Sequence, residues 1–386
     1  MKRFIVFLAT ALTAFSLFSL NVYAGVMDAA WEEAESSAEW LSLQDVWTLA
    51  GTGSHGAADG ALVQFNLPYG VAVMADGRLL VADSFNNLIR SIRTDGYGTL
   101  FAGRLRDIGA DNFPLGGYRD DTVFYSLFFR PIGLAINDRG WVFVADMYNH
   151  AVRVIIDGEV YTFAGGLGAG YANGLNARFN RPTAITVDDG GYVFVADTGN
   201  HVIRRISPEG YVITVAGVAG VHGFADGSAG TALFDSPMGV AVTDGGVLLV
   251  ADTGNHLIRK IEDGVVSTFA GYGNFTAARD GGEGFWLGGF ADGLARSSLF
   301  NHPMGLALWG DVVLVADSLN HSIRAVSLSG EVWTVAGTGY SDHVDGSLNE
   351  AAFHFPSGLG ISGNTLFVAD TGNNMIRVIN LSALSE

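Results

Sequence analysis

Short runs of β-branched and aromatic residues recur along this chain, separated by turns rich in glycine, aspartate and asparagine. Six of the runs end in Val-Ala-Asp, as in Tyr192-Val-Phe-Val-Ala-Asp197, with the aspartates at Asp83, Asp146, Asp197, Asp252, Asp317 and Asp370. Three residues after each stands an asparagine: Asn86, Asn149, Asn200, Asn255, Asn320 and Asn373. Seven residues after each stands an arginine: Arg90, Arg153, Arg204, Arg259, Arg324 and Arg377. Successive copies lie between 51 residues (Asp146 to Asp197) and 65 residues (Asp252 to Asp317) apart, which suits one propeller blade plus loops of variable length.

Within a copy the pattern reads as four strands. The first follows Pro-x-Gly, as in Pro237-Met-Gly-Val-Ala-Val, and an Asp-Gly or Gly-Gly turn leads to the Val-Ala-Asp strand. The third strand carries the arginine, and a fourth ends in Ala-Gly, as in Ser267-Thr-Phe-Ala-Gly271. The pattern predicts an all-β, six-bladed propeller of four-stranded antiparallel blades, an arrangement that leaves only short, protected sheet edges. Ala-Gly strands end at Gly51, Gly103, Gly165, Gly217, Gly271 and Gly337, so one precedes the first Val-Ala-Asp and none follows the last. The N-terminal strand Val46 to Gly51 is therefore expected to complete the sixth blade and close the ring.

A residue present in every blade is architectural first, because a single functional site must break the sixfold pattern. The Asp and Arg series are accordingly expected to pair in the turn layer, and the asparagines to bond nearby backbone. A further series, Phe65, Phe128, Phe179, Phe234, Phe300 and Phe353 in Phe-x-x-Pro, is expected to wedge between blades. Asp59, Asp226, Asp292 and Asp345, and Asn173, each followed by glycine, read as turn formers without calcium.

Met1-Lys2-Arg3, an apolar run from Phe4 to about Leu20, and Val22-Tyr23-Ala24 form the three-part pattern of a signal peptide over residues 1–24. Residues 25–44 read as an acidic linker or short helix, and residues 45–386 as the propeller. The alternative, an uncleaved anchor, needs a longer apolar run; no other segment is long enough to span a bilayer. The chain has no cysteine, so disulfides and thiol chemistry are excluded and packing alone must stabilise the fold. Export to a bacterial periplasm or the cell exterior fits a cysteine-free chain with a leader. The formal net charge is -18, the opposite of what phosphate-backbone binding requires, so nucleic acid is not an expected partner. A monomer is expected.

The segments Asp197 to Arg204 and Asp252 to Arg259 read Asp-Thr-Gly-Asn-His-x-Ile-Arg, and the second contains Asn255-His256-Leu257. On these residues the chain resembles the NHL-repeat propellers, of a secreted bacterial type, from about Asp45 to Asn380. The resemblance implies the fold; propellers similar to it include lyases, lactonases, RNA-binding modules and sensors, so it implies no single activity.

All nine histidines fall in the two loop classes expected on one face. His150, His201, His256 and His321 follow the repeat asparagine, and imidazoles from different blades are candidate ligands for a divalent metal, zinc or calcium, at the channel mouth, although no cofactor is required by the pattern. Amidating lyases of the peptidylglycine type are similar propellers that bind zinc through histidine. Two connections are long, Arg104 to Asp120 and Tyr272 to Ala291, and offer Tyr118, Arg119, Arg279 and Trp286 as ligand-binding candidates. At the turns after the repeat aspartate, three blades carry Thr-Gly, whereas Phe85, Tyr148 and Leu319 replace the glycine in the others. Those side chains either pack beneath the long loops or form an apolar ligand patch. The leading expectation is a non-catalytic protein that recognises a protein, peptide or glycan on the loop-rich face. The rival is a propeller lyase or lactone hydrolase using a histidine-bound metal, with an arginine holding a substrate anion.

Overall fold

The computed structural model describes residues 44–109, 113–276 and 285–385. The expected leader and nearly all of the acidic linker lie outside them. Among the described residues no helix is long and apolar enough to cross a membrane.

Residues from Val46 onward form a six-bladed propeller. The Val-Ala-Asp strands of blades 1 to 4, such as Val193–Asp197 and Leu248–Asp252, are buried at every position. That explains their continuous apolar composition, since both faces of each sheet pack on a neighbouring blade. Each Val-Ala-Asp strand pairs antiparallel with the innermost strand on one side and the arginine strand on the other, as Gly239–Val242, Leu248–Asp252, Leu257–Glu262 and Val265–Ala270 do in blade 4. Blades 2, 4 and 5 each add a two-residue fifth strand at the rim, Asp121–Thr122, Gly227–Ser228 and Gly293–Leu294.

The ring closes as expected. Val46–Ala50 pairs antiparallel with Met375–Asn380, placing Val46 opposite Ile379 and Thr48 opposite Arg377. The Phe-x-x-Pro phenylalanines do wedge between blades: Phe65 packs with Val71 and Val81 of blade 1 and Ala369 and Ile376 of blade 6. Phe128 does the same between blades 1 and 2, against Leu80, Ile89, Leu134 and Val142.

Pro-x-Gly has a physical cause that spacing did not reveal. A Cβ on Gly239 would lie 2.0 Å from the carbonyl oxygen of Met304 in the next blade, and one on Gly305 would lie 2.1 Å from that of Ser357. At these glycines only hydrogen fits, because the inner strand of the next blade approaches so closely around the axis. Ala184 takes this position in blade 3.

Candidate functional site

The turn after each Val-Ala-Asp strand is one turn of 3-10 helix, and it shares a face with the connections between blades. Beneath that face lies a repeated charge network. In blade 4, Asp252 accepts the Asp235 backbone N–H at 2.8 Å through Oδ1. Its Oδ2 accepts Asn255 Nδ2 at 2.8 Å and Arg259 Nη1 at 2.6 Å. The same three bonds recur on the other five aspartates.

The asparagines reach beyond the turn they were expected to bond. Asn255 Nδ2 also donates to Gly223 O, 32 residues away, and so ties the turn to the incoming connection. The Asp-Gly residues do more than turn: Asp226 Oδ1 takes Arg259 Nη2 at 2.6 Å, while its Oδ2 accepts Thr268 N–H. Asp59, Asp120, Asn173, Asp292 and Asp345 occupy the equivalent position. Each arginine also lies over its Phe-x-x-Pro ring, and in blades 2 to 5 a second aromatic sits against it, Tyr118, Tyr171, Phe224 and Phe290. Each buried guanidinium is held through both terminal nitrogens and against aromatic rings, while the Nε of Arg90, Arg153, Arg204 and Arg259 has no hydrogen-bond partner among the described residues. Burial still pushes Asp83, Asp146, Asp197, Asp252 and Asp317 up to about 6, with the arginines and hydrogen bonds opposing it.

The residue after each repeat asparagine is in the left-handed region, and its side chain crosses to the next blade. His150, His201, His256 and His321 each accept a backbone N–H through Nδ1, from Arg181, Ser236, His302 and Phe355 at 3.0 to 3.2 Å. In blades 1 and 6, Asn87 and Asn374 accept the N–H of Arg130 and Leu67 through Oδ1 at 2.8 Å. An imidazole that accepts at Nδ1 is neutral and carries its proton on Nε2. These four histidines therefore staple separate blade junctions. Three of them meet a second histidine, His201 with His222, His256 with His302 and His321 with His354, at ring separations of 5.6, 4.5 and 5.8 Å. Among the described residues no three His, Asp or Glu side chains are placed to hold a metal ion. The donor set does not fit the three-ligand site of a catalytic zinc.

The first long connection folds over blade 1. Asn87 Nδ2 donates to Pro114 O, and the Phe113 ring meets Phe85 edge-on at 5.0 Å. The Arg130 guanidinium lies 3.3 Å from the Phe85 centroid and 5.3 Å from that of Phe113. On blade 2, Tyr148 tilts against Phe129 at 5.1 Å, and both are exposed. Phe85 and Tyr148 thus join one patch, whereas Leu319 is exposed on blade 5. Tyr118 rests on Arg153 and bonds Thr162 through its hydroxyl, and Arg119 pairs with Asp121 and Tyr125 O. The second long connection is a β-hairpin in which Asn274–Thr276 pairs with Phe285–Leu287, so Trp286 is on its returning strand. Arg279 lies outside the described residues.

Phe113, Phe129 and Arg130 were not singled out in the sequence. Arg130 had one available signal: it immediately precedes the proline of an inner strand, a position held by Leu67, Arg130, Arg181, Ser236, His302 and Phe355, where two blades carry a cation.

Residues 179–206 and 234–261 match the NHL repeat. The human protein "NHL repeat-containing protein 2" is 28% identical over 342 residues, covering 79% of this chain and 45% of that protein. The chain thus spans under half the length of this curated relative. Among solved structures, a Bacteroides thetaiotaomicron protein of unknown function has TM-score 0.64 at 19% identity, over 87% of this chain and 76% of the other. An auxiliary nutrient binding protein from the same organism has TM-score 0.61 at 13% identity, over 86% and 75%. A streptogramin B lyase has TM-score 0.51 at 13% identity, over 87% and 97%. These similarities extend to the propeller fold.

Proposed function

We propose that this NHL-repeat propeller is an exported, non-catalytic recognition protein that takes a protein, peptide or glycan partner on its loop-rich face. The observation that carries the reading is the patch of Phe85, Phe113, Phe129, Arg130 and Tyr148, where aromatic rings and a cation gather on two adjacent blades. Aromatics and arginine dominate recognition surfaces because they bury much area at low entropic cost and keep a polar handle. The leader pattern and the lack of cysteine support export. The similarity in fold to a nutrient binding protein is compatible with a binding role.

Peptide and glycan arrays probed with the mature chain test this. Wild type is expected to select a ligand group, and Phe85→Ala with Tyr148→Ala to weaken that signal at least tenfold at unchanged melting temperature. Array signals indifferent to the double substitution, or stoichiometric zinc or calcium retained through gel filtration, would favour the metal-dependent lyase or lactone hydrolase instead.

A further inference from the structure

Each Val-Ala-Asp strand ends at the loop-rich face, so the turn that precedes it lies on the opposite face. On that opposite face three clefts lie side by side at the junctions of blades 2 and 3, 3 and 4, and 4 and 5, with volumes of about 160, 190 and 370 Å³. The first and second share Val187 and Asp188, and the second and third share Thr243 and Asp244, so the three form one arc. Each exceeds the roughly 150 Å³ void that admits benzene and has room for a leucine-sized side chain. Apolar side chains line all three: Trp141, Phe163 and Pro208 in the first, Val242 in the second, and Leu308 with the exposed Leu328 in the third.

The rim of the arc is acidic for a reason that turn formation does not supply. In blades 2, 3 and 4 the side chain that bonds the turn is the one before the rim aspartate. Asn137 Oδ1 accepts the Trp141 N–H, Asp188 Oδ1 that of Tyr192, and Thr243 Oγ1 that of Val247. The exposed carboxylates of Asp138, Asp189 and Asp244, which follow, make no hydrogen bond or ion pair among the described residues, nor does that of Asp311 in blade 5. The other two blades differ: Asp76 of blade 1 is paired with Arg78, and blade 6 carries Asn364, whose Oδ1 accepts Trp309 Nε1. Among the described residues Arg139, over the Trp141 ring, is the one cation lining the clefts. The sixfold pattern is therefore broken on this face by consecutive acidic turns that border apolar clefts. That combination complements a chain in which cationic and apolar side chains alternate.

We infer that this arc docks an extended peptide whose lysine or arginine side chains meet Asp138, Asp189, Asp244 and Asp311 while the apolar residues between them enter the clefts. The surface lies on the face opposite Phe85 and Tyr148, so it is a second docking site and does not depend on the first.

Fluorescence anisotropy of labelled Lys-Pro-Leu-Lys-Pro-Leu-Lys-Pro-Leu titrated with the chain tests it, the prolines holding the probe extended. Wild type is expected to bind this peptide at least tenfold more tightly than its counterpart with glutamate in place of lysine. Spermine, which has the charge without the apolar groups, is expected to compete at least tenfold less well than the unlabelled peptide. Asp138→Asn with Asp189→Asn and Asp244→Asn is expected to weaken binding at least tenfold at unchanged melting temperature, because those carboxylates hold nothing in the fold. Leu328→Ser is expected to weaken it about threefold. Asp157→Asn with Asp263→Asn and Glu331→Gln removes the same charge from outside the clefts and is expected to bind as wild type, as is Phe85→Ala with Tyr148→Ala. No binding, equal binding of the glutamate peptide, spermine competing as well as the peptide, or equal affinities of the two triple variants would overturn the assignment. Loss of binding in the Phe85, Tyr148 variant would also overturn it, by moving the peptide to the other face. Array recognition through Phe85 and Tyr148 is read with different ligands, so the two readings fail separately.

Discussion

The six junction residues show why a side chain that looks like a metal ligand serves as a staple. His150, His201, His256 and His321 accept a backbone N–H from the next blade, and the chain supplies its own control where Asn87 and Asn374 do the same work. Burial lowers the pKa of His150, His201 and His321 below 6.5. A base with a depressed folded pKa contributes stability that is complete above 6.5 and is lost as pH falls through the folded value. The repeat aspartates act with the opposite sign: raised to about 6 from 3.8, they add stability as pH falls between those values. Wild-type melting alone therefore mixes two slopes. The triple variant His150→Asn, His201→Asn, His321→Asn isolates one of them. It is expected to melt within a few degrees of wild type at pH 7.5 and to lose less than wild type by pH 5.5. Equal losses in thermal melts would show that the imidazoles do not govern the junctions. The Asn-His pattern was legible in sequence; its acceptor role was not, because the donor belongs to another blade.

At the level of the strand, the inner ring is set by what cannot fit. Gly305→Ala places a Cβ 2.1 Å from the Ser357 carbonyl oxygen, so two inner strands must separate. Overpacking of this kind costs about 1–3 kcal/mol, and a denaturant titration should read that loss. Ala184→Gly, at the equivalent position of blade 3, is expected to change stability far less. Gly305→Ala with an unchanged midpoint would mean that the strands yield freely. The four strands of each blade could be read from residue order, since alternation, turns and β-branched runs are local. The rim strands of blades 2, 4 and 5 were missed because two-residue segments such as Gly227–Ser228 carry no periodicity.

For the whole molecule, closure rests on Val46–Ala50. This strand covers the edge of Met375–Asn380, and its Thr48 N–H donates to Asp345, the carboxylate that also holds Arg377. Deleting residues 46–50 exposes that edge and removes a partner from the sixth network, so calorimetric melting is expected to lose cooperativity and the chain to associate. A single two-state transition at the wild-type temperature would refute this. Blade number, strand order and the closing strand were determined by the sequence itself, because six complete copies and two mismatched ends admit one circular arrangement. The Asp-Arg pairing was legible for the same reason, as opposite charges at one fixed period. Tertiary structure alone decided which residues meet across blades and connections: Phe85 with Phe113 and Arg130, Tyr148 with Phe129, and each junction His or Asn with a backbone N–H of the next blade. Those contacts join residues from different repeats or connections, and their distances depend on how each loop leaves the sixfold pattern, which periodicity does not encode.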